Sequence, residues 1–462
     1  MSDRSLLLIN PWIADFTAFD LWSKPLGLLY IAKFLQNYGY EIELLDLMDR
    51  QRWQDTSNDK FNDGRGKYRK TIIAKPPVLA RYPRRFGLYG ASREQFSDTL
   101  SNMARPNAIL VTSLIAYWYP GVAATVEILR RYFPETPLIL GGIYASLYPE
   151  HARNSIQPDF LITGYGEKKT LQLVDQLFGI ERDYNVIPDY NDNGILPWHL
   201  YPKLKSVAVL TSRGCPNRCT YCATYLLNKK FVQRRPEDVI NEIISTYHRF
   251  NVENFAFYDD ALFTNRDRHI IPILRGIISA GVKINLHSPN GLFAREINSE
   301  LAELMFAAGF KTVRLSLEST SAQIQHSSSN KVSNATYIEA VNNLTKAGFA
   351  RNSLETYLIM GLPSQTRQQI IDSINFVADQ GVIVKLASFS PIPGTTEWER
   401  ARAFGYVSDD QDPLMTNATI FPFLSRNLRY EDYLTLRQIA NERNTENRGN
   451  HQFSNEASDG TD

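Results

Sequence analysis

The sequence has few cysteines, almost no net charge and no long apolar run. Only three of its 462 residues are cysteine, an odd number that rules out a fully paired disulfide framework. Fifty basic residues stand against 49 acidic ones, and this balance argues against a general nucleic-acid-binding surface. No apolar stretch reaches the roughly 18 residues of a membrane span, and no cleavable leader is recognisable. We therefore expect a cytoplasmic protein without a membrane span.

A hydrophobic fraction of 43% is enough to give each of two or three domains a core. In the first 180 residues short apolar runs alternate with helical patterns at 25–38 and 121–133. The runs with strand character are 6–10, 42–47, 108–114, 138–140 and 160–163. This rhythm predicts an α/β domain over 1–180 with a doubly wound, Rossmann-like parallel sheet, interrupted by an insertion at about 51–106.

A second alternating block follows a segment rich in Pro, Asn, Asp and Gly, so we place a linker at 181–204. Its strand candidates are 207–210, 254–258, 283–287, 312–317, 355–360 and 382–389. Six such units predict a partial (β/α)6 TIM-type barrel over 205–400, although spacing alone does not exclude an open sheet. A helical extension at 401–440 and a disordered tail at 441–462 complete the expected organisation.

The three cysteines form one cluster in the sequence. Cys215, Cys219 and Cys222 have the spacing C-x3-C-x2-C and directly follow the strand candidate 207–210. Zinc sites generally need four protein ligands, and no second cysteine or histidine pair lies nearby in sequence. Three thiolates can instead bind three irons of a cubane cluster and leave the fourth iron open to another ligand. A structural metal site or unliganded buried thiols remain the alternatives.

With Tyr221 before the third cysteine and a barrel-like block around it, this motif resembles that of the radical S-adenosylmethionine (SAM) superfamily. The resemblance implies that the three cysteines bind a 4Fe-4S cluster whose open iron chelates SAM. It also implies that SAM is cleaved to a 5'-deoxyadenosyl radical. An electron donor such as flavodoxin or ferredoxin is then required as a partner.

The resemblance also implies a SAM site at the ends of the later strands. Its expected members are Asp259, Asp260, Arg295, Ser316, Glu318, Met360 and Gly361. The two aspartates would offset the SAM ammonium, unless they only cap a helix. Arg295 would meet the methionine carboxylate or else form a surface salt bridge. Ser316 and Glu318 would contact the ribose or methionine part of SAM, and Met360 and Gly361 would seat adenine with their backbone.

The front domain resembles the cobalamin-binding-like domain that precedes many radical SAM barrels. The residues that carry this resemblance, and that we expect at a cobalamin site, are Pro25, Leu26, Gly27, Thr112, Ser113, Gly141, Gly142, Gly164 and Glu167. The D-x-H-x-x-G signature of an axial histidine is absent, and His151 is the only histidine before the linker. We therefore expect no histidine-ligated cobalt. A fold kept for structure or substrate docking is the alternative.

Two segments of the front domain are not explained by the resemblance. Residues 60–85 carry nine basic residues against one acidic, which suits an anionic substrate, a lipid phosphate or a solvated loop. Residues 116–121 place three aromatics at a strand-to-helix turn, which suits a flat ligand or simple core packing.

The function predicted from the sequence is a radical SAM enzyme acting on an unidentified small molecule, with cobalamin-dependent methyl transfer. Hydrogen abstraction without methylation is the second possibility. A non-catalytic cluster or corrinoid sensor is the third, and no nucleic-acid partner is expected. The sequence identifies no catalytic acid, base or radical relay.

Overall fold

The computed structural model describes residues 4–187, 194–328, 331–420 and 427–456. The chain divides into two compact units, residues 1–208 with 241–254 and residues 209–240 with 255–462. The boundary passes through strand Ser206–Val209 and helix Pro236–Phe250. None of the helices in these ranges is long and apolar enough to cross a membrane.

The first unit contains a five-stranded sheet in the order β5-β4-β3-β1-β2, with every neighbouring pair parallel. Its strands are β1 (Ser5–Asn10), β2 (Glu41–Asp46), β3 (Ala108–Val111), β4 (Leu138–Leu140) and β5 (Phe160–Leu161). The order confirms the predicted doubly wound sheet. Its topological switch point lies between β1 and β3, and ligands of such sheets bind beyond the carboxyl ends of the strands there.

Helices cover the front sheet because β1, β3 and β4 are buried along nearly their whole length, and a parallel sheet needs protein on both faces. The helices of this part of the chain are Leu26–Asn37, Arg50–Trp53, Arg93–Ser101, Tyr119–Tyr132, Ile143–Leu147, Pro149–Ile156 and Glu167–Leu177.

The insertion expected at 51–106 forms small antiparallel pairings. Strand Gly87–Tyr89 pairs with Ile13–Asp15 on one side and with Lys70–Ile72 on the other, so Lys70–Ile72 is an edge strand. Gly66–Lys67 pairs separately with Phe19–Asp20.

The segment expected to be a linker is partly packed into the first unit. Trp198 is buried, and the Tyr201 hydroxyl donates a hydrogen bond to Asp46 Oδ2 at the end of β2 (2.8 Å). Polar, proline-rich composition suggested a free connection at 181–204, but two buried aromatics fix 198–201. Residues 188–193 lie outside the described residues.

The second sheet follows chain order, β6-β7-β8-β9-β10-β11, with Leu292–Phe293 paired beside β9. The strands are β6 (Ser206–Val209), β7 (Asn254–Phe257), β8 (Asn285–His287), β9 (Phe310–Glu318), β10 (Leu354–Met360) and β11 (Ile383–Ser388). Six sequential strands confirm the expected partial barrel. The helices are Thr224–Leu227, Pro236–Phe250, Ile270–Ser279, Ser299–Ala307, Ala322–Ser328, Asn334–Lys346, Arg367–Asp379, Thr396–Ala403 and Tyr430–Glu456.

The C-terminal helix differs from the expectation for 441–462. Disorder was predicted from residue 441, whereas the helix continues to Glu456. The buried Asn444 amide explains this, since it accepts from the Val384 amide (2.7 Å) and donates to the Val384 carbonyl (2.9 Å). Polar residues here satisfy backbone groups of the edge strand β11, so a sequence without aliphatic residues is still ordered. Residues 457–462 are outside the described part of the chain.

Candidate functional site

The three cysteines lie on the loop that follows β6. A short hairpin of Ser212–Arg213 with Val232–Gln233 frames this loop. Gly214 has a positive φ of 82°, and a Cβ there would come within 2.8 Å of the Lys230 carbonyl. Only glycine suits that position, so the loop turns sharply just before Cys215.

The thiols are poorly exposed and interact with one another electrostatically. Burial, followed by smaller contributions from charged neighbours that include Cys219 and Cys222, raises the pKa of Cys215 to about 11. The pKa of Cys222 is also raised by burial, against a hydrogen bond between its thiol and Thr224 Oγ1 (3.2 Å). The thiols of Cys215 and Cys222 would therefore remain protonated at neutral pH in the metal-free loop, and metal binding would have to displace these protons.

The donor set does not suit a single metal ion. Throughout the described ranges, no three Cys, His, Asp or Glu side chains group closely enough to hold one ion. This disfavours a mononuclear zinc site, whereas in a cubane each thiolate binds a different iron. Asn217, between the first two cysteines, has a buried amide nitrogen without a hydrogen-bond partner. Such an orphaned donor suits an acceptor bound in the loop.

The adjacent aspartates after β7 have different surroundings. Asp259 is buried and accepts hydrogen bonds from the Thr211 amide (3.0 Å), Thr211 Oγ1 (2.8 Å) and Ser212 Oγ (2.6 Å). Burial raises its pKa, and these hydrogen bonds oppose the rise. Asp259 thus anchors the start of the cysteine loop, and the structure does not support the expected direct SAM contact for this residue.

Asp260 opens onto a cleft at the carboxyl ends of the strands. The cleft has a volume of about 350 Å³ and is lined by Asp260, Pro289, Asn290, Gly291, Phe293, Ser316, Glu318, Lys331, Tyr357 and Ala387. Burial of the carboxyl, followed by the charge of Asp259, raises the pKa of Asp260 to about 6. At neutral pH the carboxylate is still mostly ionised, so the cleft presents a negative charge to a cationic ligand.

Glu318 is held in a strained conformation at the end of β9. Its φ is 68°, and the register of β9 against β10 shifts between Ser316 and Glu318. Positive φ at a residue with a side chain costs free energy and is concentrated at functional sites. Ser316, on the same strand, lines the cleft and donates to the Leu292 carbonyl (3.1 Å).

Lys331 was missed in the sequence. Its ammonium lies 2.9 Å from Glu318 Oε1 and 3.3 Å from the Tyr221 hydroxyl. Burial alone would lower the pKa of Lys331, but the Glu318 charge and then that of Cys219 raise it overall. The residue lies 13 positions after Glu318, beyond helix Ala322–Ser328, so no local pattern associates it with the cleft.

A polar network on the inner positions of β9, β10 and β11 was also missed. Arg314 contacts Glu355 Oε2 (2.6 Å) and the Tyr357 hydroxyl (2.9 Å), and Lys385 contacts Glu355 Oε1 (2.8 Å). The inner layers of such barrels are usually filled by Val, Ile and Leu. The sequence did carry a signal for this network. Arg314, Ser316 and Glu318 alternate with apolar residues along β9, so their side chains lie on one face of the strand.

Three other expected SAM contacts do not line the cleft. Arg295 lies on the turn Ala294–Glu296 and forms a partly exposed ion pair with Glu296 (3.0 Å), which agrees with the surface alternative. Met360 is fully buried. The Gly361 amide donates to Gln365 Oε1 (2.9 Å), so that backbone group already has a partner.

In the front unit, the expected residues after β3 and β4 contact one another. Ser113 Oγ donates to the Gly141 carbonyl (2.6 Å), and the Ile143 amide donates to the Ser113 carbonyl (2.7 Å). Gly142 has a φ of 98°, and a Cβ there would overlap the Ser113 backbone. Ser113 and Gly142 therefore join the ends of two strands.

The remaining expected residues of the front edge have different environments. Thr112 is buried, and its amide bonds the Ile9 carbonyl (3.1 Å). A Cβ on Gly27 would meet no atom within 4 Å, and one on Gly141 would lie 3.7 Å from the Ile162 carbonyl oxygen. The Gly164 amide donates a hydrogen bond to Ser146 Oγ (2.9 Å). Pro25 and Leu26 begin the first helix, and the buried Glu167 begins helix Glu167–Leu177.

Exposed apolar side chains follow three successive strands of the front sheet. They are Ile115 after β3, Ile143 after β4 and Tyr165 after β5. We call these three residues the apolar edge. His151 is not among them, because its Nδ1 contacts the Tyr144 hydroxyl (2.6 Å) and its ring packs on Tyr119. The aromatic turn at 116–121 thus contributes Tyr119 to local packing.

Comparison with known proteins agrees with this organisation. Residues 209–377 match the model of the Radical SAM superfamily. An uncharacterized methyltransferase of Pyrococcus horikoshii is 26% identical over 340 residues, 67% of this chain and 72% of its own. The cytidylyl-2-hydroxyethylphosphonate methyltransferase of Streptomyces wedmorensis is 22% identical over 479 residues, covering 88% of this chain and 83% of its own.

The fold extends over both units in a solved structure. The radical SAM methyltransferase TsrM from Kitasatospora setae, with cobalamin and a [4Fe-4S] cluster bound, has a TM-score of 0.62 at 15% identity and covers 90% of this chain and 81% of its own. The family match contains the cysteine loop, Asp260, Glu318 and Lys331. Residues 209–377 therefore form a radical SAM domain, and a domain of this superfamily implies a [4Fe-4S] cluster and SAM as cofactors.

Proposed function

We propose that this enzyme transfers methyl groups from SAM to a small-molecule substrate by way of a cobalamin bound at the apolar edge. Cys215, Cys219 and Cys222 hold the cluster, and the cleft holds SAM. An external electron donor such as flavodoxin or ferredoxin supplies electrons, since three cysteines leave none for a second cluster.

The chemistry of the cleft supports SAM as its ligand. SAM carries a sulfonium and an ammonium, and the cleft offers two carboxylates, Asp260 and Glu318, beside polar Ser316 and Asn290. Its volume of about 350 Å³ lies within the range of small-ligand sites. Lys331 provides one cation among these anions, which suits a ligand that also has a carboxylate.

The apolar edge is the observation that carries the methyl-transfer part of the proposal. Three apolar side chains are exposed beyond the carboxyl ends of β3, β4 and β5, on the side of the switch point that begins with β3, although exposed apolar surface is costly unless something covers it. A corrin is large and flat with an apolar face. The relatives named methyltransferases, and the cobalamin in TsrM, agree with this assignment.

When bound, the cluster would supply the electron that cleaves SAM, and cobalamin would carry the methyl group. The residues of this chain bind and orient these groups. Asp259 fixes Thr211 and Ser212 at the start of the cysteine loop, and Lys331 keeps Glu318 in place. Phe293 and Tyr357 add two aromatic rings to the lining of the cleft.

The test uses the full chain, reconstituted anaerobically with iron and sulfide and supplied with a chemical reductant, methyl-labelled SAM and hydroxocobalamin. We expect the labelled methyl group to appear on the corrinoid, with S-adenosylhomocysteine formed as the other product of the transfer. Label that remains only in methionine, with 5'-deoxyadenosine formed, would support hydrogen abstraction without methylation. Absence of any SAM turnover would favour the sensor alternative.

A further inference from the structure

The basic segment of the insertion, residues 60–85, is not used by the proposed function. It carries nine basic residues and one acidic residue, so the rest of the chain has 41 basic and 48 acidic residues. A protein that is nearly neutral overall thus concentrates its positive charge in 26 consecutive residues. Charge asymmetry of this kind is typical of chains that bind polyanions or anionic surfaces.

The structure leaves most of this charge without a carboxylate partner. Among the basic residues of this segment, Arg65 alone forms an ion pair in the described part of the chain, with Asp63 (3.1 Å). Lys70 donates to the Phe16 and Arg85 carbonyls, and Lys75 donates to the Ala80 carbonyl. These hydrogen bonds orient the ammonium groups but do not neutralise them. Lys67, Arg81 and Arg85 are exposed.

Exposed apolar side chains belong to this basic segment or pair with it. Ile72, on the edge strand Lys70–Ile72, is 54% exposed, and Val78, after two prolines, is 40% exposed. Phe19, which pairs with Lys67 across two short strands, is 41% exposed. Separate apolar tips surrounded by basic residues suit a deformable lipid interface, into which single side chains can insert while the charges meet the headgroups.

Nucleic acid fits this surface less well. Recognition of single strands relies on exposed aromatic rings that stack on bases. The tyrosines of the segment, Tyr68 and Tyr82, are buried, and its exposed large apolar residues Ile72 and Val78 are aliphatic, so Phe19 adds a single exposed ring to this surface.

We propose that residues 60–85, with Phe19, form a docking surface for anionic phospholipid membranes. The enzyme binds the bilayer peripherally: the basic side chains contact phosphate headgroups, and Ile72 and Val78 enter the interface. The negative charge of the rest of the chain disfavours other orientations on the same surface.

The experiment is co-sedimentation of the full chain, with its cluster reconstituted, with vesicles of phosphatidylcholine alone or with about one third phosphatidylglycerol. We expect binding only to the anionic vesicles and a loss of binding as salt rises from about 50 to about 300 mM. Replacing Lys67, Arg81 and Arg85 by Gln should weaken binding about tenfold or more. The double variant Ile72→Ser with Val78→Ser should weaken vesicle binding by a smaller factor than the charge variants do. This loss should be measured at high salt, where the electrostatic contribution is screened.

The matched controls remove charge or apolar surface elsewhere. Vesicle binding should not change when exposed lysines of the barrel unit are replaced by Gln, at Lys283, Lys311 and Lys346. Nor should it change in Leu434→Ser, which removes an exposed apolar side chain. Equal binding to both vesicle types, or equal losses in control and insertion variants, would overturn the proposal. So would tighter binding to a double-stranded RNA oligomer or an acidic protein than to the anionic vesicles at the same salt. Equal melting temperatures of all variants exclude misfolding as the cause.

Discussion

The barrel cleft and the apolar edge of the front sheet occupy the same position on two parallel sheets but have opposite chemistry. Beyond the carboxyl ends of β7 to β11, charged groups converge on a cleft, and an ion pair with a strained backbone lies in it. Beyond β3 to β5, the Ser113 hydroxyl donates its hydrogen bond to the Gly141 carbonyl. The side chains exposed there are those of Ile115, Ile143 and Tyr165. The same geometry can thus serve a small charged ligand or a large apolar one, depending on which side chains follow the strands.

The largest expected effect is the loss of the cluster without a loss of corrinoid binding. Replacing any one of Cys215, Cys219 or Cys222 by Ala should abolish cluster absorbance and lower 5'-deoxyadenosine formation by at least about a hundredfold, since each thiolate has an iron to bind. Corrinoid binding, measured by a spectral titration, should be unchanged. Thr224→Val, which removes only the hydroxyl beside Cys222, is the control that should retain the cluster. Loss of corrinoid binding in the cysteine variants would contradict the independence of the sites.

The next effect tests the ion pair in the cleft. Glu318→Gln and Lys331→Met should each weaken SAM binding by about ten- to a hundredfold, because each leaves a poorly exposed partner charge uncompensated. Calorimetric titration of the reconstituted enzyme measures the affinity. The exposed pair Arg402 and Glu399 provides a control, and its variants should bind SAM normally. An unaffected affinity in Lys331→Met would show that Glu318 does not need this partner.

A smaller effect is expected at the apolar edge. Ile143→Glu should weaken corrinoid binding by about tenfold, because a charge would lie against an apolar ligand face. SAM cleavage to 5'-deoxyadenosine should not change. Ile278→Glu, at another exposed isoleucine, is the matched control for an added surface carboxylate. If both variants bind the corrinoid equally well, the edge is not its site.

The smallest effect concerns pH and the anchor of the cysteine loop. Burial lowers the pKa of His269 to about 4, and its Nε2 lies 2.9 Å from Thr211 Oγ1. The unfolded state binds this proton more tightly, so stability should rise as pH increases from about 4 to about 6.5, by at most about 3 kcal/mol. Asp259, which bonds Thr211 and has a raised pKa, acts in the opposite direction.

Melting temperatures of the cluster-free chain across this pH range measure the effect. The rise of the melting temperature with pH should become smaller in His269→Gln, because the glutamine side chain cannot be protonated. Equal pH dependence of the melting temperature in the parent chain and in His269→Gln would contradict the assignment.

Much of the fold was predictable because strand periodicity and strand ends are local properties. The positions of β6 to β11, and the place of Ser316 and Glu318 at the end of β9, follow from apolar runs broken by polar residues. Side-chain direction was not predictable. Asp259 and Asp260 are neighbours, yet one points to the loop backbone and the other to the cleft. For Arg295 the sequence left two roles open, and the structure agrees with the surface salt bridge, which pairs it with its neighbour Glu296.

The sequence by itself predicted the radical SAM domain, the two parallel sheets and the grouping of three cysteines in the loop after β6, because these depend on residue spacing and local periodicity. Only the tertiary structure brought Lys331 to Glu318, assembled Arg314 with Glu355 and Lys385, and left Ile115, Ile143 and Tyr165 exposed beyond three strands. These groups come from distant parts of the chain. Their contacts depend on how the strands align and where the intervening helices return, which no single segment specifies.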